Sequence, residues 1–157
     1  MNKVTTCIWF ESQAEEAAKL YVSLFPNSGI VTVTHYTDAG PAPKGTVLTV
    51  TFELDGVEYT LLNGGPSFPL SEAVSLVAKC RDQAEVDRLW EALLEGGRPS
   101  QCGWLKDRFG LSWQVVPEKM FELIEDGAPQ KTAAMMQAMF KMQKLDMAEL
   151  QQAYDAG

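Results

Sequence analysis

Ser12-Gln13-Ala14-Glu15 and Asp82-Gln83-Ala84-Glu85 decide the fold, because the same four-residue pattern opens an amphipathic segment in each half of the chain. Ser12 with Glu15 has the spacing of a capping box and Asp82 is a typical N-cap residue, so each predicts the start of a helix. Each pattern follows an apolar run with strand character. A second repeated pattern has a turn glycine, then an aromatic residue, then two aliphatic residues. It occurs in Asp55-Gly56-Val57-Glu58-Tyr59-Thr60-Leu61-Leu62 and in Phe109-Gly110-Leu111-Ser112-Trp113-Gln114-Val115-Val116. The sequence therefore predicts two copies of one strand, helix, strands module.

The pattern along each copy predicts the order of its elements. In module one, residues 1–63, we expect a strand at 4–10, a helix at 13–25 and strands at 30–36, 46–54 and 57–62. In module two, residues 70–117, we expect a strand at 73–80, a helix at 82–95, abbreviated middle strands and a last strand at 111–116. The expected fold is α+β, a single domain over residues 1–157 with paired βαβββ modules and a helical tail at 118–157. Two such modules bury their apolar faces against each other, which tends to leave a concave surface for a small molecule.

The tail carries an apolar stripe that allows two interpretations. Met135, Ala138, Met139 and Met142 recur at helical spacing. The stripe either packs on its own sheet as ordinary core or packs across a twofold axis and builds a homodimer.

Composition limits the class of protein. The chain has 157 residues, 46% of them apolar and 22% charged, which is ordinary for a folded domain, and it has no apolar run near the roughly 20 residues that span a bilayer. A net charge of −8 disfavours nucleic acid and anionic membranes as partners. Cys7, Cys80 and Cys102 are odd in number and scattered, and the start lacks the pattern of a secretion signal. We therefore expect reduced thiols and a cytoplasmic location.

Segments spread along the whole chain carry a family resemblance: Ile8-Trp9-Phe10, Phe25-Pro26-Asn27-Ser28, Asn63-Gly64-Gly65-Pro66, Gln101-Cys102-Gly103-Trp104, Phe109-Gly110-Leu111-Ser112-Trp113 and Met136-Gln137-Ala138-Met139. In these segments the chain resembles the PhnB-like family, labelled 3-demethylubiquinone-9 3-methyltransferase-like. That family belongs to the vicinal oxygen chelate superfamily of glyoxalase I, bleomycin-resistance proteins and extradiol dioxygenases. The resemblance implies paired βαβββ modules that form a cup and commonly assemble as dimers. It implies function only weakly, because one fold hosts many chemistries.

The resemblance also implies where a metal would be held. Metal-using members of the superfamily have His and Glu at positions that correspond here to Thr5, Thr60, Ser75 and Gln114. Hydroxyls and a primary amide are poor ligands for a divalent ion. The single histidine, His35, lies outside the pattern. We therefore expect no metal centre and no cofactor.

Strand alternation predicts what lines the hollow instead. If Gln114 faces inward, the same register turns a mixed apolar and polar set inward: Thr5, Cys7, Trp9, Glu58, Thr60, Leu62, Ser75, Val77, Ser112 and Val116. Trp104, in a neighbouring loop, joins the candidate ligand-binding residues. Such a lining suits an amphiphilic or aromatic organic molecule stacked on Trp9, with ordered water as the alternative occupant.

Catalysis is the competing hypothesis. Glu58 is a candidate general base and His35 a candidate acid or base, although each also fits a structural role. Cys102 is either an activated thiol or an inert one. The methyltransferase label lacks the glycine-rich turn that normally binds a nucleotide-like methyl donor. We expect a metal-independent small-molecule-binding protein; the alternatives are a lyase, isomerase or hydrolase with an unorthodox site, or methyl transfer to a quinone precursor.

Overall fold

A computed structural model describes residues 2–157 and has the element order β1 α1 β2 β3 β4, β5 α2 β6 β7 β8, α3 α4 α5. Each module is thus a βαβββ unit, and the helices that follow form the tail. The chain divides into two compact units, one ending at Leu70 and the other running from Ser71 to Gly157. The predicted α+β class with paired modules and a helical tail is confirmed.

The first unit contains one four-stranded sheet with α1 on one face. Its elements are β1 Thr6–Phe10, α1 Ala14–Leu24, β2 Gly29–His35, β3 Val47–Leu54 and β4 Val57–Asn63, and the strand order is β1-β4-β3-β2. Strand β1 runs parallel to β4, and the other pairs are antiparallel. Phe52 and Leu61 are fully buried, as is Tyr21 of α1, because alternate side chains of the strands point towards the helix.

The second unit repeats this arrangement with shorter middle strands. Its elements are β5 Ser75–Cys80, α2 Gln83–Leu94, β6 Arg98–Pro99, β7 Trp104–Lys106 and β8 Ser112–Pro117, and the strand order is β5-β8-β7-β6. The expected abbreviation of the middle strands is confirmed. Helix α2 packs on β5, β7 and β8, and Trp113 and Val115 are buried on that side, together with Leu89 and Leu93 of the helix.

The tail consists of α3 Glu118–Glu125, α4 Pro129–Met139 and α5 Met147–Ala156. Its apolar side chains form one buried cluster with Val116 of β8: Met120, Leu123, Met135, Met139, Leu145, Leu150 and Tyr154. The methionine stripe therefore packs within its own unit, as the first of the two interpretations expected. None of the helices in residues 2–157 is long and apolar enough to cross a membrane.

The two predicted helix caps have different outcomes. In module two the Glu85 N–H donates to Asp82 Oδ1 at 2.8 Å, so the predicted cap at Asp82 is confirmed. The Glu85 carboxylate accepts from the Arg81 N–H, one residue before the cap, at 2.8 Å. In module one the prediction is wrong, because α1 begins after Gln13 and has no local side-chain cap. The Ala14 N–H instead donates to Oδ1 of Asn63, at the end of β4, at 2.9 Å. Local sequence does not reveal a cap that comes from a distant strand.

Asn63 is therefore expected to stabilise the first unit and Ser12 is not. Asn63→Ala removes the cap of α1 and the 3.2 Å bond from Nδ2 to the Val47 carbonyl, and should lower the free energy of unfolding by about 2 kcal/mol. Ser12→Ala should change it by less than about 0.5 kcal/mol. Urea denaturation of the two variants checks this, and equal losses would show that Ser12 caps the helix after all.

Candidate functional site

The candidate residues of the first unit lie mostly on the sheet face that points away from α1. Cys7 pairs with Thr60 and Trp9 pairs with Leu62 across β1 and β4, so all four side chains share that face. The hydroxyls of Thr60 and Thr51 share a hydrogen bond of 3.1 Å. Thr5 precedes β1 and is exposed.

Trp9 is held in place by its own unit. Its indole Nε1–H donates to the Gly65 carbonyl at 2.8 Å, and its ring meets Phe68 edge to face at 4.9 Å. A Cβ at Gly64 would lie 2.2 Å from the indole, so this position requires glycine. The Trp9 ring is thus fixed before any ligand arrives.

The two candidate catalytic residues are not brought together. Glu58 pairs with Glu53 beside the Asp55-Gly56 turn, whereas His35 pairs with Val47 at the other end of β3. These positions, Val47 and Glu53, are six residue steps apart along β3, which is about 20 Å at the usual rise. Glu58 and His35 therefore cannot act on one small substrate as an acid and base pair.

His35 instead borders a separate cavity of about 890 Å³ at the end of the first sheet. Tyr36 and Asn63 also line it, and the Tyr36 hydroxyl donates to the Asn63 carbonyl at 2.5 Å. Three carboxylates complete the wall, those of Glu11, Glu15 and Glu16. Because the wall is acidic, an anion is disfavoured there. No other candidate site residue from the sequence lines this cavity.

The second unit brings three candidates together on one sheet face. Across the four strands, Arg98, Lys106, Ser112 and Ser75 form one row of directly opposed residues. Two residues further along β8, on the same face, Gln114 is opposed to Trp104 and Val77. Directly opposed residues project to the same side, and Gln114 Nε2 donates to Ser75 Oγ at 2.9 Å. Ser75, Trp104 and Gln114 thus share this face.

Two adjoining cavities open on this face. The larger, about 480 Å³, is mainly apolar and is lined by Cys102, Trp104, Gln114, Val116, Met120, Met139 and Phe140. The smaller, about 210 Å³, has the larger polar share of the two and includes Arg98, Lys106 and Ser112 in its wall. Glu72, Ser100 and Trp104 line both cavities, so the two adjoin. We call them the apolar compartment and the polar compartment.

Sequence reasoning missed several of these residues. Phe140 and Met139 reach the apolar compartment only because the tail folds back on β8, and no local pattern indicates that. Arg98 and Lys106 could have been found, because both flank the short middle strands and strand pairing sets them opposite each other. The register that turned Gln114 inward turned Ser112 inward as well.

The polar compartment has two cationic side chains but only one carboxylate, and it also has a buried hydroxyl without a hydrogen-bond partner among the described residues. Lys106 Nζ lies 2.8 Å from Glu72 Oε1, and the hydrogen bond from Lys106 lowers the pKa of the Glu72 carboxyl below its ordinary value. The Arg98 guanidinium has no ion pair or hydrogen bond with any of residues 2–157. Ser112 is only 1% exposed, and its hydroxyl has no hydrogen-bond partner among the described residues.

The residues at the superfamily's metal positions do not fit a metal ion. Gln114 donates to Ser75, Thr60 shares a hydrogen bond with Thr51, and neither these residues nor Thr5 carries a charge. Among residues 2–157 no group of three or more His, Cys, Asp or Glu is placed to hold a metal. Cys80 lies elsewhere, and burial raises the pKa of its thiol to about 12, so the thiol stays protonated at neutral pH.

Solved structures resemble the chain over most of its length. The PhnB protein from Bacillus cereus is 34% identical, with a TM-score of 0.68, and the match covers 74% of this chain and 99% of that one. Protein PA1353 from Pseudomonas aeruginosa is 21% identical, with a TM-score of 0.62 over 75% and 98% of the two chains. The fosfomycin resistance protein FosX from Listeria monocytogenes is 13% identical, with a TM-score of 0.55 over 77% and 94%, which supports the fold alone.

These similarities place the fold in the glyoxalase and bleomycin-resistance group, the vicinal oxygen chelate superfamily. The profile of the 3-demethylubiquinone-9 3-methyltransferase family matches residues 2–116. The chain belongs to this PhnB-like family. No protein of curated function matches the chain at a significant level.

Ser112 offers a test of the polar compartment through stability. Ser112→Ala removes a buried hydroxyl that lacks a partner, and should raise the free energy of unfolding by about 1 kcal/mol. Ser75→Ala is the matched control, because it leaves the Gln114 amide without its partner and should lower that free energy by a similar amount. Urea denaturation measures both, and a comparable loss in Ser112→Ala would contradict this description of the site.

Proposed function

We propose that the protein binds a small organic molecule on the sheet face of its second unit, without a metal ion. The observation that carries this proposal is the apolar compartment of about 480 Å³, which Trp104, Phe140 and the Gln114 amide all line. Small-molecule sites are mostly apolar cavities with a few polar groups that orient the ligand. An aromatic or amphiphilic molecule fits that description.

Phe140 supports the proposal through its exposure. It is 60% exposed at the end of α4, although a phenyl ring gains free energy when it is covered. A ligand in the apolar compartment would cover this ring and Trp104 together. Aromatic contacts of this kind add to the gain from burial alone.

Enzymatic function gains less support. Glu58 and His35 belong to the first unit and lie at opposite ends of its sheet. Methyl transfer, which the family description names, gains no support either, since β1 leads into α1 through Glu11-Ser12-Gln13, without the glycine-rich turn of a nucleotide-like methyl donor site. We therefore propose binding, with sequestration or delivery of a metabolite as its role. The three unpaired thiols suit a reducing, cytoplasmic setting.

Phe140→Ser should weaken binding without unfolding the protein. With the neutral probe 2-naphthamide, we expect the dissociation constant to rise about fivefold, because one aromatic contact is lost. Ile124→Ser, an exposed apolar residue of α3 outside both compartments, should leave it unchanged. Amide and side-chain NMR shifts of labelled protein measure the affinity and should include the Trp104 indole and Gln114 side chain. Equal effects in the two variants, or shifts that avoid these two side chains, would refute the proposal.

We also propose that two copies of the chain pair through β2. This strand is an edge of the first sheet, and Val31, which is 55% exposed, lies at an irregularity in its pairing with β3 between Ile30 and Thr32. A long edge strand with exposed apolar residues offers unpaired backbone groups to another chain.

Val31→Lys should convert a dimer to a monomer in sedimentation velocity, whereas Val57→Lys, at a site 52% exposed in β4, should not. A monomeric parent protein would contradict this.

A further inference from the structure

We propose that the polar compartment is a carboxylate subsite: Arg98, Lys106 and Ser112 hold the acid group of a ligand whose apolar body lies in the adjoining apolar compartment. This inference rests on the proposed function and specifies its ligand class as a monoanionic organic acid. Three independent features of the second unit support it.

The first feature is the Ser112 hydroxyl. It is almost completely buried, it lines the polar compartment, and it has no hydrogen-bond partner among residues 2–157. A buried polar group without a partner costs stability, and such exceptions call for an explanation. A carboxylate only accepts hydrogen bonds, so it can take the proton that this hydroxyl offers.

The second feature is the charge balance. Arg98 and Lys106 are directly opposed in β6 and β7, and like charges in that arrangement repel each other. Glu72 pairs with Lys106 at 2.8 Å and compensates one of the two charges. One positive charge of this pair remains, and one ligand carboxylate would neutralise it. Arginine is suited to that group because its planar fork donates two parallel hydrogen bonds.

The third feature is the shape of the two compartments. The polar one, about 210 Å³, suits an acid group, and the apolar one, about 480 Å³, suits a ring or short chain. Trp104 lines both, so a single ligand can place its charged end beside Ser112 and its body against Phe140. The acidic cavity beside His35 has the opposite charge and does not suit this ligand class.

The test compares two probes that differ only in charge. Labelled full-length protein is titrated with 2-naphthoate and with 2-naphthamide, and binding is followed by NMR shifts of the Trp104 indole and Gln114 side chain. We expect 2-naphthoate to bind about tenfold more tightly, because charge-assisted hydrogen bonds are stronger than neutral ones. Arg98→Gln, at an exposed position, should bring the ratio of the two affinities close to one.

Glu72→Gln is expected to strengthen binding. It releases Lys106 and removes a negative charge from the compartment, so the affinity for 2-naphthoate should rise about threefold or more while that for 2-naphthamide stays constant. Asp87→Asn is the matched control, because Asp87 pairs with Lys144 at 2.7 Å in the same unit, outside both compartments. It changes the net charge equally and should leave both affinities unchanged.

The outcomes separate this inference from the proposed function. If both probes bind at Trp104 with equal affinity, or if Glu72→Gln and Asp87→Asn behave alike, the carboxylate subsite is wrong and the binding function stands. If neither probe shifts Trp104 or Gln114, the proposed function itself fails. Tighter binding of the dianion 2-naphthyl phosphate than of 2-naphthoate would overturn the assignment of a monoanion.

Discussion

The buried carboxylate of Asp107 sets the register on which the second unit depends. Its Oδ1 accepts the N–H groups of Phe109 and Leu111 at 2.9 and 3.1 Å, and its Oδ2 accepts the indole N–H of Trp113 at 2.9 Å. These bonds hold the turn between β7 and β8 and keep Trp113 on the helix side of the sheet. Because side chains alternate along a strand, Ser112 and Gln114 must then point to the other face. A slip of one residue would bury the polar pair under α2 and turn the indole outward.

With that register, the candidate site of the second unit follows from strand pairing. The parallel pairing of β5 and β8 brings Ser75 within hydrogen-bond distance of Gln114, where metal-using relatives are expected to hold charged ligands. Neutral groups that satisfy each other do not attract a cation, but they can orient an organic ligand. The compartment that no tail residue lines contains the charged groups, and the compartment lined by Met120, Met139 and Phe140 of the tail is mainly apolar.

Much of the fold could be predicted because its signals are local. The Asp82 cap, the Asp55-Gly56 turn and the alternation along β8 each depend on residues close in sequence. The cap of α1 could not be predicted from its neighbours, since Asn63 supplies it from the end of β4. The walls that Met139 and Phe140 contribute were missed for the same reason, because they depend on how the tail docks on Val116.

We propose that this face of the second unit binds an organic molecule where metal-using relatives would hold an ion. Native mass spectrometry of the protein purified from its own host, without added metal, tests it most directly. The account predicts that the chain carries a small organic mass and no stoichiometric transition metal. One metal ion per chain, with no organic mass, would contradict it.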